Sequence, residues 1–432
     1  MTIMTSCSND EGNQVGQNGG ENVSETNQSE MKGSHSSEHE AQKPVSLTFY
    51  SAQGRVLDSF DAVDRIKEAL PHITLNVMNA QEGQRYADLI ASGTLPDIIY
   101  ESNSLQQGTI IRHGFHYELD ELIEKNNFDL GRFEPNILDQ TRFSNAEGKL
   151  YGLPYSINRY AMLYNKDIFD RFGVDYPVDG MTWDEVYELA KTMTRVEDGV
   201  AYQGFSMWTP GSYFLNNQLS LDYLHPEEDK ADINTDGWAT LFNNLKRFYE
   251  IPGSSLEITD FIDGQIAMQV KAFSVSQIQQ MAEVPDLDWD MASVPTFKER
   301  PHTGFKPAGL SLFITSTSKM KDAAFEVVEY MVSEKYQTVI ARNGVATTLD
   351  SEEVIAQAGA DVPILEGKNY RALYYDPLAA PSKARAEHLT NVSINLTMVF
   401  NEMIANQTDV NTVLRNAEET INQMIAEAKG SE

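Results

Sequence analysis

Between residues 45 and 100 the chain alternates strand-like and helix-like patterns, and this alternation limits the fold more than any other feature. Val45 to Tyr50 is a β-branched and aromatic run, followed by a helix with Val63, Ile66 and Leu70 on one face that is stopped by Pro71. Ile73 to Met78 is a second strand. Tyr86, Leu89 and Ile90 mark a short helix closed by Gly93, and Leu95 to Tyr100 holds a third strand. Strand-helix-strand-helix-strand is the pattern of an open α/β sheet with parallel strands, where ligands sit beyond the carboxyl ends of the strands. Gln53, Arg55, Glu101 and Asn103 follow those ends and are candidate ligand contacts.

A second informative stretch runs from Gly148 to Thr194. It reads as a strand entered through Gly-Leu-Pro, a polar loop with Asn158, Arg159 and Tyr160, a second strand from Ala161 to Tyr164, and then helices. Thr182 and Glu185 stand three apart, so hydroxyl and carboxylate can each satisfy a free amide at a helix start. Val186, Leu189, Ala190 and Met193 recur at i, i+3, i+4 and i+7, which predicts a helix starting at Trp183.

At 432 residues the chain exceeds the roughly 250-residue limit of a single core, so two domains are expected. The 33 basic and 64 acidic residues leave a formal net charge of −31, which disfavours nucleic acid and anionic lipid surfaces as partners. No apolar run approaches the roughly 18 residues of a membrane-spanning helix. Residues 8 to about 43 are polar and cannot bury enough surface to offset ordering entropy, so residues 1–44 are expected to be a tether. Cys7 is the one cysteine and stands among small residues, the setting of a cysteine that receives a lipid such as palmitate at a signal-peptide cleavage site. Only six residues precede it, too few for the charged start and apolar core of that peptide.

Catalytic motifs are absent from the sequence. It has no Gly-x-Ser-x-Gly, no phosphate-binding Gly-Lys-Ser/Thr loop and no His-Glu-x-x-His. A glycosidase remains possible on this ground alone, because its two carboxylates need only be close in space. His35 and His39 fall in the tether, and His113 and His116 lack a third ligand. Asp232, Asn234, Asp236 and Gly237 match the first half of a calcium loop, but the closing position is Asn243, and a turn capping the next helix explains the same residues. No metal or cofactor is expected. The segment from Phe297 to Lys306 is basic in an acidic chain and could favour an anionic ligand or a docking partner.

Leu153-Pro154, Leu163 to Phe169, Phe172-Gly173-Val174, Pro177 and Thr182 to Glu185 together resemble the signature of the family 1 extracellular solute-binding proteins, the sugar-capturing subunits of bacterial ABC importers. Gly93 to Ile98, Phe261-x-x-Gly264-x-x-Ala267-Met268, Val294-Pro295 and Ser318-Lys319 are similar to it in the same order. The resemblance implies a two-lobed periplasmic-binding-protein-like α/β fold. Each lobe is discontinuous in sequence, with hinge crossings near Ser156 to Ala161, Val294 to Phe297 and Met331 to Glu334, and with the ligand in the interlobe cleft. Residues 45–156 with 297–333 would form the N-terminal lobe, and residues 157–296 with 334–432 the C-terminal lobe.

It further implies a monomeric, non-catalytic binding protein at the extracellular face of the cell membrane, held there by a lipid on Cys7. That protein would pass a carbohydrate, an oligosaccharide, to ABC permease subunits. A surface carbohydrate-active enzyme, or a ligand sensor on the same scaffold, is the alternative. On positions matching the family's ligand loops, Gln53, Glu101, Asn103 and Asn158 are expected to bond hydroxyls, while Trp208 and Phe273 serve as stacking platforms. Tyr155, Arg159, Tyr213 and Tyr375 are further candidates. Asn158 stands where maltose-binding protein has an acidic ligand residue, so maltodextrin specificity does not carry over. Arg159 beside it suggests an acidic sugar.

Overall fold

The computed structural model describes residues 43–430 apart from 55, 82–84, 146, 258–259 and 384–385. Cys7, His35, His39 and Arg55, singled out above, lie outside the described residues. The described strands form two five-stranded sheets. The first contains β1 (Val45–Ser51), β2 (Ile73–Asn79), β3 (Ile98–Ser102), β4 (Gly152–Ile157) and β10 (Gly309–Ile314), in the order β2-β1-β3-β10-β4. The second contains β5 (Arg159–Asn165), β6 (Arg195–Glu197), β7 (Val200–Met207), β8 (Ile266–Phe273) and β9 (Trp289–Ala292), in the order β6-β7-β8-β5-β9. The parallel pairing expected of the first three strands is present, with Val45 opposite Ile73 and Phe49 opposite Ile98. β10 returns antiparallel between β3 and β4.

Each sheet has its own core. Leu47, Phe49 and Ile98 of the first sheet pack with Leu312, Phe325 and Val328, all fully buried. The second sheet buries Met162, Phe205, Met268 and Val270 against Trp183, Trp238 and Phe248. The helix Trp183–Met193 begins where the sequence places it: Thr182 Oγ1 accepts from the Glu185 amide at 3.3 Å, and the Thr182 amide donates to Glu185 Oε2 at 2.7 Å. It lies directly on β7, so close that a Cβ on Gly204 would sit 2.1 Å from the Ala190 carbonyl oxygen. Only a residue without a side chain fits there.

The chain passes between the two sheets at short, well-tied segments. Asn158 is the single residue between β4 and β5, and its amide donates to the Ala308 carbonyl at 3.0 Å. The second passage is not at Val294 to Phe297 as expected. Val294, Phe297 and Phe305 all fill the second core, and the basic segment folds back through a Phe297–Arg300 bridge. The chain leaves this core only after Lys306, whose amide donates to Asn216 O at 2.8 Å, and enters the first sheet at Gly309.

The third passage is also later than Met331 to Glu334. Helix Glu334–Arg342 buries Tyr336, Ile340 and Ala341 in the first core, and Gln337 Nε2 donates to Tyr155 O at 3.0 Å. Val354 still belongs to that core, Ala358 touches the cores of both sheets, and Leu365 and Tyr370 belong to the second side. Helices Leu396–Ala405 and Val410–Lys429 complete the second core. No described helix is long and apolar enough to cross a membrane.

Candidate ligand-binding cleft

A cavity of about 690 Å³ opens at the first two of these passages. Its first wall is built by Gln53 after β1, Ser102 to Ser104 after β3, and Gln140 and Phe143 of helix Pro135–Phe143. Asn158 and Pro307 to Gly309 form its floor, both being passages between the sheets. The opposite wall carries Ser212 and Asn216 at helix Pro210–Leu215, Asp222, Lys306 and Ser382. The carboxyl-end rule for α/β sheets thus locates the first wall.

On the first wall a buried carboxylate sets the direction of an amide. Glu101 is 2 % exposed and accepts from Gln53 Nε2 at 2.6 Å, Tyr86 Oη at 2.8 Å and the Ser102 amide at 2.8 Å. A carboxylate can only accept, so the Gln53 amino group must face it, leaving the Gln53 carbonyl oxygen available to a ligand donor. Burial, reinforced by the Glu101 charge, pushes the Tyr86 hydroxyl well above its ordinary pKa, so it remains a donor. Asn103, also buried, donates to Gln140 Oε1 and Thr141 Oγ1, each at 3.2 Å. Gln140 then holds the second passage, donating to Pro307 O at 2.7 Å and accepting from the Gly309 amide at 3.2 Å.

On the opposite wall Lys306 and Asp222 neutralise each other, while Lys383 lines the cavity from an exposed position. Lys306 is 3 % exposed, and its ammonium donates to Leu221 O at 2.8 Å, Asp222 Oδ1 at 3.0 Å and Ser382 Oγ at 2.8 Å. Ser382 also bonds Asp222. The basic segment's one cavity-lining cation is therefore already compensated. Asn216 Nδ2 donates to Tyr160 Oη at 3.0 Å, which fixes a second amide at the wall.

Of the sequence-derived candidates, Gln53, Asn103 and Asn158 line the cavity together. Glu101 stands behind Gln53 and is not a lining group. Tyr155 and Tyr213 are core residues: Tyr155 packs edge-on against Tyr100 at 5.5 Å, and Tyr213 Oη donates to Leu241 O at 3.3 Å. Phe273, 2 % exposed, fills the core between Trp289 and Tyr370 and offers no face for stacking. Large rings at these positions are explained by packing.

Arg159 is buried with its guanidinium 4.5 Å above the Tyr374 ring, and donates to Leu373 O at 3.4 Å. An acidic-sugar preference based on Arg159 therefore has no geometric support. Trp208 and Tyr375 are 42 % and 43 % exposed but lie outside the cavity lining. Sequence reasoning missed Gln140, Asn216, Asp222 and Ser382, which carry no local pattern. Asp232, Asn234 and Asp236 form a turn before helix Asp236–Tyr249, with Asn234 donating to Glu418 at 2.8 Å.

The family model described as bacterial extracellular solute-binding protein matches residues 60–338. A binding protein of Brucella abortus strain 2308 is 23 % identical over 289 residues, covering 61 % of this chain and 65 % of that protein. The chain thus spans about two thirds of that relative's length. The sn-glycerol-3-phosphate-binding periplasmic protein UgpB of Brucella melitensis is 22 % identical over 345 residues, covering 72 % of this chain and 75 % of that one. The solved cyclic alpha-maltosyl-1,6-maltose binding protein of Arthrobacter globiformis superposes with a TM-score of 0.70 at 20 % identity, covering 88 % of this chain and 99 % of that one. Two α/β sheets around a polar cleft, with the family's match running through both, make this chain a member of the bacterial extracellular solute-binding protein family.

Proposed function

We propose that this protein captures an oligosaccharide in the cleft between its two sheets and delivers it to the membrane subunits of an ABC importer. The observation that carries the reading is the cavity lining. It sets amides and hydroxyls among apolar surface on both walls, with Gln53, Asn103 and Gln140 on one side and Ser212, Asn216 and Ser382 on the other. Its volume of about 690 Å³ fits a small-molecule site, which typically spans ~300–1,000 Å³. Amides and hydroxyls that both donate and accept match the adjacent hydroxyls of a sugar. The Arthrobacter neighbour, whose ligand is a cyclic maltosyl sugar, supports the same class.

A ligand touching both walls gains its full set of contacts only when the walls approach, so binding shifts the hinge equilibrium toward closure. The hinge passages are Asn158, Pro307 to Ala308, and the segment around Ala358. We take the lobes as residues 45–157 with 309–354, and 159–306 with 365–430. The protein acts by binding, without catalysis. Asp222 is the one carboxylate among the described lining residues and is paired with Lys306, whereas glycoside hydrolysis uses two, about 5–10 Å apart. The protein works as a monomer at the extracellular face, tethered through a lipid on Cys7.

The test is a calorimetric and thermal-shift screen of the full chain against neutral oligosaccharides, acidic oligosaccharides and sn-glycerol 3-phosphate, with product analysis of every hit. A specific sugar should stabilise the fold by about 4 kcal/mol at a thousandfold excess over Kd, and be recovered intact. Cleaved sugar would establish an enzyme instead. Binding of sn-glycerol 3-phosphate alone would overturn the carbohydrate reading.

A further inference from the structure

One face of helix Pro135–Phe143 grips the chain where it passes between the sheets. Asn136 and Gln140 stand four residues apart, about one helical turn, so their side chains leave the same face. Asn136 Nδ2 donates to Leu378 O at 2.9 Å, and Gln140 Nε2 to Pro307 O at 2.7 Å. The helix belongs to the first side, where its Ile137 packs with Ile157 of β4. Both acceptors lie on segments anchored to the second. Lys306, next to Pro307, is held by Asn216, Asp222 and Ser382. Pro377 to Ala379 is bonded to the same loop, the Gly304 amide donating to Pro377 O at 2.8 Å and the Ala379 amide to Phe305 O at 3.2 Å. Two side-chain amides of the first side thus hold two neighbouring carbonyls of the second.

Gln140 carries the connection into the cavity that it lines. Pro307 O can only accept and the Gly309 amide can only donate, so together they fix the direction of the Gln140 amide, with Nε2 toward Pro307 and Oε1 toward Gly309 at 3.2 Å. Oε1 also accepts from Asn103 Nδ2 at 3.2 Å, which orients the first-wall amide in turn. Between the two hinge bonds lies Ala308, whose carbonyl accepts from the Asn158 amide of the first passage. The junction requires a glycine at 309, because a Cβ there would lie 3.0 Å from Gln140 Oε1 and 3.3 Å from Asn103 Nδ2. The walls also touch at the mouth of the cleft. A Cβ on Gly108, in the turn Gln107–Ile111 whose Ile110 packs with Tyr50 and Ile99, would lie 3.2 Å from Thr390 Cγ2 on the second side. The brace is therefore seen with the walls together.

We propose that Asn136 and Gln140 form a brace that stabilises the closed arrangement of the lobes, and that Gln140 is the positioning residue through which contact at Asn103 is coupled to the hinge. Rotation of the second lobe carries Pro307 O and Leu378 O away from a helix that stays with the first, so both bonds belong to the closed form. They bias the hinge toward closure before any ligand contact is counted. A ligand held at Asn103 steadies the Gln140 amide and with it the bond to Pro307. The inference rests on the closure reading above and names the residues that set its equilibrium.

Paired spin labels on the full chain test this, placed on Glu68→Cys of helix Ala62–Ala69 and Asn411→Cys of helix Val410–Lys429, both exposed, with Cys7→Ser so that no other thiol reacts. In the free protein Asn136→Ala and Gln140→Leu are each expected to raise the ratio of open to closed distances about tenfold, the worth of one hydrogen bond, and Gly309→Ala to shift it the same way. In calorimetry with maltotriose and cellotriose, Asn136→Ala should weaken binding by up to the same factor although Asn136 does not line the cavity. Should Gln140→Leu fail to fold, Asn136→Ala and Gly309→Ala carry the test. Interlobe distances unmoved by the variants would overturn the brace. Affinity lost in Gln140→Leu with the distances unmoved would make Gln140 a ligand contact alone and overturn the coupling. A wild-type protein that binds neither sugar would count against the carbohydrate reading, while the distances in the free protein still decide the brace.

Discussion

The two walls of the cleft handle charge in opposite ways. On the first wall Glu101 is buried without a cation among the described residues and spends its oxygens on Gln53, Tyr86 and Ser102. On the second, Lys306 and Asp222 neutralise one another through direct contact and a shared serine. A lone carboxylate aims an amide and tolerates only donors around it, whereas a closed ion pair is chemically silent toward ligand and serves the architecture. Removing the charged group should therefore damage recognition on the first wall and stability on the second.

The largest effect is expected from Lys306→Met, which leaves Leu221 O without its side-chain donor and the Asp222 carboxylate with the Ser382 hydroxyl but no cation. Urea unfolding should show a loss of about 3 kcal/mol, and adding Asp222→Asn should recover part of it. If the single variant is neutral, the second wall is not held by its ion pair. Next comes Glu101→Ala, which strands the Gln53 amide and the Tyr86 hydroxyl. It should cost about 2 kcal/mol of stability and, in addition, weaken a bound sugar by about tenfold. Glu101→Gln separates the two effects: stability should change by less than about 1 kcal/mol, while affinity still falls because the Gln53 amide is free to flip.

A smaller change is expected for Gln53→Leu, with affinity lowered about tenfold and the unfolding midpoint unmoved. Asn158→Ala should have the least effect on stability, since its backbone bond to Ala308 survives, and should lower affinity by a few fold. Should Asn158→Ala instead change the open-closed distribution seen by small-angle scattering without changing affinity, its side chain is a hinge element and not a ligand contact.

Much of the fold was legible because local rules coincide with the tertiary result. The Thr182–Glu185 capping box needs only residues three apart, and the helix starts at Trp183. The alternation from Val45 to Tyr100 needs only propensity, and it produces the parallel strands β1, β2 and β3. Gln53 and Asn103 were readable as cavity residues because they follow the carboxyl ends of parallel strands, and Asn158 through the family resemblance. The aromatic candidates were not readable on this basis. A ring such as Phe273 or Tyr213 is equally at home in a core or under a sugar, and only the neighbours Trp289, Tyr370 and Leu241 decide.

The same limit explains the displaced passages. Phe305 and Tyr336 carry no sign of which core will bury them, because burial is a property of the assembled sheets. The sequence by itself determined the α/β alternation, the caps and the polar character of the loops, since these depend on contacts within a few residues. Only the tertiary structure decided that Glu101 stands behind Gln53, that Lys306 meets Asp222 and that Gln140 meets Pro307. The two residues of each pair are brought together by strand register and chain crossing over 48, 84 and 167 positions, a range over which sequence spacing carries no geometric information.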